Sequence, residues 1–90
     1  MEKQVTYILN EKTYLYILEF DGYFEYTFYN DTCKVTETGR MEKNDHLIDD
    51  ALKLICRSYE LKVNHIHKLN DIEFKEFAET TDDYEWVSVI

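Results

Sequence analysis

From position 5 to 38, apolar and polar residues alternate through a run rich in Tyr, Phe, Val, Ile and Thr, residue types that suit a pleated, half-buried surface. The pattern predicts four antiparallel strands within 1–39, joined as a meander. Its best local signal is Phe20-Asp21-Gly22-Tyr23, where Asp-Gly accepts the positive φ angles of a two-residue type I′ turn. Pairing outward from that turn sets Phe20 beside Tyr23, Glu19 beside Phe24, Leu18 beside Glu25, Ile17 beside Tyr26, Tyr16 beside Thr27 and Leu15 beside Phe28. Alternate pairs share a face, so Leu15, Ile17, Phe24, Tyr26 and Phe28 form one core face. A second tight turn at Asn30-Asp31 adds Cys33 opposite Phe28 and Val35 opposite Tyr26. At the first hairpin, Asn10-Glu11-Lys12, an even-length loop places Ile8 beside Leu15 and turns Val5, Tyr7 and Leu9 to the other side.

Gly39 is expected to end the sheet, and Asn44 or Asp45 to cap a helix over 44–61. Within it Leu47, Ile48, Ala51, Leu52, Leu54, Ile55 and Tyr59 recur at helical spacing, giving one apolar stripe to lay on the core face. Asn70-Asp71-Ile72-Glu73 has the form of a capping box and starts a short acidic helix over 70–80, with Ile72, Phe74, Phe77 and Ala78 as its apolar side. The ending at 84–90 alternates again and predicts a last strand. The expected class is therefore α+β in a single domain over 1–90: a four-stranded meander, a long helix on one face, a second short helix and a C-terminal strand.

The other face of the meander collects Val5, Tyr7, Leu9, Tyr14, Tyr16, Leu18, Phe20, Tyr23 and Tyr29, where an antiparallel sheet normally presents polar residues to water. A contiguous apolar surface of this kind marks an interaction site or a face that other residues must cover. The cover is either the chain's own segment after Asn70, a second copy, or another protein. Tyrosine is enriched at interfaces because its ring supplies contact area while its hydroxyl tolerates water. The expectation taken forward is that another chain covers this face, as in a homodimer.

Charge narrows the function. Nineteen acidic residues against ten basic ones give −9, yet 44% of the chain is hydrophobic, too much for a disordered acidic tail. The basic residues are scattered singly, so direct nucleic-acid binding has no patch to use, and the same field disfavours anionic membranes. No apolar run reaches the roughly 18 residues a bilayer requires, and Met1-Glu2-Lys3-Gln4 opens into strand without a signal region. The expected location is the cytoplasm of a bacterial or phage-infected cell. Abundant Lys, Asn, Ile and Tyr without proline suits an AT-rich gene.

Chemistry has little foothold. Cys33 and Cys56 lack a neighbouring cysteine at zinc-site spacing and read as buried thiols. His65-Ile66-His67 has tight spacing, but falls in a connection between helices where packing or surface roles are commoner. With two glycines there is no phosphate loop, and the calcium-loop pattern is absent. No catalytic residue, metal or cofactor is expected, and the chain is read as a binding protein rather than an enzyme.

Charge is also uneven: from Leu69 to Ile90 seven acids face one base, so this stretch holds −6 of the −9. On a helix, Glu73, Glu76 and Glu79 lie about 5–6 Å apart as a shallow stripe, with Asp82 and Asp83 beyond its end. Successive phosphates of one DNA strand have comparable separations. Such a stripe fits a Lys/Arg groove built for nucleic acid, with Tyr84 or Trp86 as an aromatic anchor. In size and composition, over the whole chain, the protein resembles the DNA-mimic and anti-CRISPR classes of phage proteins, and the immunity proteins and antitoxins that neutralise a basic toxin. The resemblance implies a small acidic inhibitor that sequesters a basic, nucleic-acid-handling partner; no residue roles carry over with it. The alternative is a self-associating interaction module that uses the tyrosine-rich face.

Overall fold

The computed structural model describes residues 3–80, and the strand expected at 84–90 lies outside them. Four strands form the meander: β1 (Lys3–Leu9), β2 (Thr13–Glu19), β3 (Tyr23–Tyr29) and β4 (Val35–Glu42). Helix α1 (Ile48–Ser58) follows, then a short strand β5 (Ile66–Lys68) and helix α2 (Asp71–Thr80). The sheet is antiparallel throughout, in the order β4-β3-β2-β1-β5. The class is α+β, as the pattern predicts, with β5 an addition on the outer edge of β1.

The Asp21-Gly22 hairpin has the expected register, from Glu19 opposite Phe24 to Leu15 opposite Phe28. Gly22 has a positive φ but Asp21 does not, so the turn keeps the two-residue length without being the type I′ turn expected, and Phe20 N–H donates to the Tyr23 carbonyl at 2.9 Å. The neighbouring hairpins differ from expectation, each for a local reason. Between β1 and β2 the loop has three residues, with Leu9 opposite Thr13 and both Asn10 and Glu11 in the left-handed region. That odd count moves β1 by one position, and because side chains alternate with a period of two, it reverses both faces. Val5, Tyr7 and Leu9 therefore enter the core that faces α1, and Ile8 turns away from it. Asn10 is held in place from outside the hairpin: its Oδ1 accepts from the Asn64 and His65 N–H groups, and its Nδ2 donates to the Lys62 carbonyl.

Between β3 and β4 the connection is longer than two residues. Asn30 Oδ1 accepts from Thr32 N–H and Lys34 N–H, Cys33 adopts a positive φ, and a bulge lies between Phe28 and Tyr29. Val35 consequently pairs with Tyr29, and Glu37, Gly39 and Met41 stand opposite Phe28, Tyr26 and Phe24. Cys33 and Val35 pack on the side of α2, not on the face predicted for them. Gly39 lies inside β4 instead of ending it: the Tyr26 ring crosses directly above, and a Cβ there would come within 2.5 Å of Tyr26 Cζ.

Helix α1 lays Ala51, Leu52, Ile55 and Cys56 on the core formed by Val5, Tyr7, Leu9, Leu15, Ile17, Phe24 and Phe28. It starts later than the capping signals at Asn44 and Asp45 suggest. Its N-cap is Leu47, whose N–H donates to the Asp50 carboxylate at 3.2 Å, and the Leu47 side chain is exposed. Tyr59 closes the far end of the stripe, its hydroxyl 2.9 Å from that of Tyr26. On the opposite side of the sheet, α2 packs Phe77 and Phe74 over Tyr14, Tyr16, Leu18 and Tyr29. The sheet has two apolar faces because each carries its own helix. Ile72, expected on the apolar side of α2, is 72% exposed.

Candidate functional site

Helix α2 begins with the capping box legible in the sequence. Glu73 N–H donates to Asn70 Oδ1 at 2.8 Å, and Asn70 N–H donates back to Glu73 Oε1 at 3.0 Å, which satisfies two amides the first turn cannot pair. His67 of β5 adds a third contact, its Nε2 lying 3.0 Å from both Glu73 carboxylate oxygens. The Asn70 amide, and then the imidazole, hold the Glu73 carboxyl below the usual carboxylate range. This acid is therefore the bolt that joins β5 to the start of α2.

The inner side of α2 is aromatic. Phe77 stacks on Tyr14 with centroids 4.8 Å apart and meets Tyr29 edge-on at 5.0 Å, while Phe74 stacks on Tyr16 at 5.9 Å. Tyr16 also donates its hydroxyl to Gln4 Oε1 at 2.6 Å. The tyrosine face expected to be covered by another chain is thus covered across Tyr14, Tyr16 and Tyr29 by the chain's own α2. Of the other residues assigned to that face, Tyr7 belongs to the α1 side, where its hydroxyl donates to Asp49 Oδ1 at 2.7 Å. Burial, and then the Asp49 carboxylate, push the Tyr7 hydroxyl pKa up. Phe20 and Tyr23 stack on each other at 4.9 Å, half-buried, with the Arg40 guanidinium 5.0 Å from the Tyr23 centroid.

The outer side of α2 carries Glu76 and Glu79, both exposed and neither with a hydrogen bond or ion pair among the described residues. Beside Glu76, the seam between α2 and the sheet opens as a groove of about 220 Å³. Its apolar wall is Ile8, Tyr14, Leu69 and Phe77, and its rim is Glu73, Glu76 and Thr80. The Thr80 hydroxyl donates to the Phe77 carbonyl at 3.0 Å and lies 3.5 Å from Cys33 Sγ, and its oxygen can still accept. Sequence reasoning found the acids but not Ile8, Leu69 or Thr80. Ile8 reaches this groove only because the three-residue loop reverses β1. Asp82, Asp83, Tyr84 and Trp86 lie outside the described residues.

Among the described residues, no three His, Cys, Asp or Glu side chains are gathered as a metal site, and no helix is long and apolar enough to cross a membrane. A family model described as large polyvalent protein-associated domain 16 matches residues 1–81. The chain belongs to that family. No curated protein and no solved structure is significantly similar to it. As a large polyvalent protein-associated domain, the matched unit takes in the five strands and two helices of the described residues, so the groove beside α2 lies within it. Asp82, Asp83, Tyr84 and Trp86 fall beyond the match.

Proposed function

We propose that this domain acts by binding a basic protein surface, of the kind built to hold nucleic acid, and so withholds that surface from its nucleic acid. It works as an acidic inhibitor without catalysis, as DNA mimics and phage anti-defence proteins do. The observation that carries the proposal is the division of labour on α2: Phe74 and Phe77 are spent on the sheet, whereas Glu76 and Glu79 face solvent on a helix fixed in position. A folded acidic row presents its charges without the ordering cost of a flexible chain, and the net −9 speeds encounter with a basic partner. Glu73 contributes charge, but its carboxylate is committed to Asn70 and His67, so Glu76 and Glu79 lead. Membership of a family associated with large polyvalent proteins is compatible with a small module that serves a larger assembly.

Self-association through the tyrosine face has less support, because α2 already occupies most of that face. Affinity capture with the full chain, followed by mass spectrometry and competition with duplex DNA, tests the proposal. It predicts that retained proteins are basic and that DNA displaces them. Retention of neutral or acidic proteins indifferent to DNA refutes it.

A further inference from the structure

The groove beside α2 combines two chemistries that one class of side chain satisfies together. Ile8, Tyr14, Leu69 and Phe77 line it with apolar and aromatic surface, and Glu73, Glu76 and Thr80 line it with polar groups. An anion is repelled by Glu73 and Glu76. A purely apolar side chain fills the wall but strips water from those carboxylates with no compensating bond. A long basic side chain meets both demands, laying its methylene stem along the wall with its charged head at the rim.

We infer that this groove is the seat for one lysine or arginine side chain of a partner protein, with Glu76 as the carboxylate that receives its head. The inference rests on the proposed binding of a basic surface and gives that surface a specific anchor point. Glu73 is the weaker candidate for the head, since His67 and the Asn70 amide already occupy its oxygens. Thr80 accepts a further N–H while continuing to donate to the Phe77 carbonyl. The groove therefore reads the length of the stem as well as the charge, which a flat acidic surface does not.

Stem length supplies the test. The full chain, labelled with ¹⁵N, is titrated at low salt with two peptides of equal charge, octalysine and an octamer of 2,4-diaminobutyric acid, whose side chain is two methylenes shorter. Partial burial of those methylenes predicts that octalysine binds about five-fold more tightly. Shifts should centre on Ile8, Tyr14, Glu76, Phe77 and Thr80. Glu76→Gln should abolish the preference, whereas Asp21→Asn, an equal charge change at the distant β2–β3 turn that keeps a turn-forming Asn-Gly pair, should preserve it. Equal binding of both peptides, with diffuse shifts and equal effects of the two substitutions, overturns the groove and leaves the general acidic surface standing. Failure of both peptides to bind, even at low salt, overturns the groove and the acidic surface together.

Discussion

Gly39→Ala probes whether the Tyr26 ring truly lies against the β4 backbone. The new methyl would sit 2.5 Å from Tyr26 Cζ, so the ring has to leave. It then gives up its edge contacts with Phe28 at 6.0 Å and Tyr59 at 5.9 Å, together with the hydroxyl pair to Tyr59. Two aromatic contacts are worth about 0.5–1.5 kcal/mol each, and replacing glycine inside a strand returns about 0.5–1 kcal/mol. The net cost should be about 1–2 kcal/mol, a fall of roughly 5–15 °C in Tm for a domain of this size. In a Tyr26→Ala background the clash is gone and only the strand gain remains, so the same substitution should stabilise by about 0.5–1 kcal/mol. Urea denaturation followed by circular dichroism on the four proteins of this cycle reads the coupling directly. An equal cost in both backgrounds would refute the close approach.

Phe77→Ala should cost about 3–5 kcal/mol where α2 docks, so amides over 71–80 should lose hydrogen-exchange protection while α1 keeps its own. Unchanged protection of α2 would mean that Phe77 does not hold it. Thr6 is 1% exposed and its hydroxyl has no partner among the described residues, so Thr6→Val should raise stability by about 1 kcal/mol in urea titration. Glu73 has a folded pKa below its unfolded value of about 4.3, so its contribution is complete above that value and is lost as pH falls through the folded pKa. An acid titration of the urea midpoint should show this slope in the wild type and a shallower one in Glu73→Gln.

The parts of the fold that were legible depend on residues whose local chemistry allows one answer. Asp21-Gly22 fixes a two-residue turn, and all the strand pairs outward from it stand as the sequence predicts. Asn70 and Glu73 announce a capping box, and α2 starts there. The failures are tertiary. Asn10 accepts left-handed backbone because residues 62–65 bond its side chain, and nothing near position 10 in the sequence announces those partners. The glycine at 39 resembled a strand end, but its reason is a ring one strand away. The fifth strand was missed because Ile66–Lys68 is three exposed residues, long enough to pair with β1 and too short for a pattern. In the candidate site the acids could be read from spacing alone. The groove could not, since it needs β1 in its true register to bring Ile8 beside Tyr14 and Phe77.

Glu73→Lys would break a helix cap as well as reverse a charge, so a clean test of the acidic surface uses only Glu76→Lys and Glu79→Lys together. The decisive quantity is the association rate of this double variant and the wild type with a captured basic partner, measured across roughly 50 to 500 mM salt, from weak to strong screening. The wild type should associate fast at low salt and slow steeply as salt rises, whereas the variant should start slower and respond much less, with its circular dichroism unchanged. Identical rates and identical salt slopes for the two proteins would contradict binding through the outer face of α2.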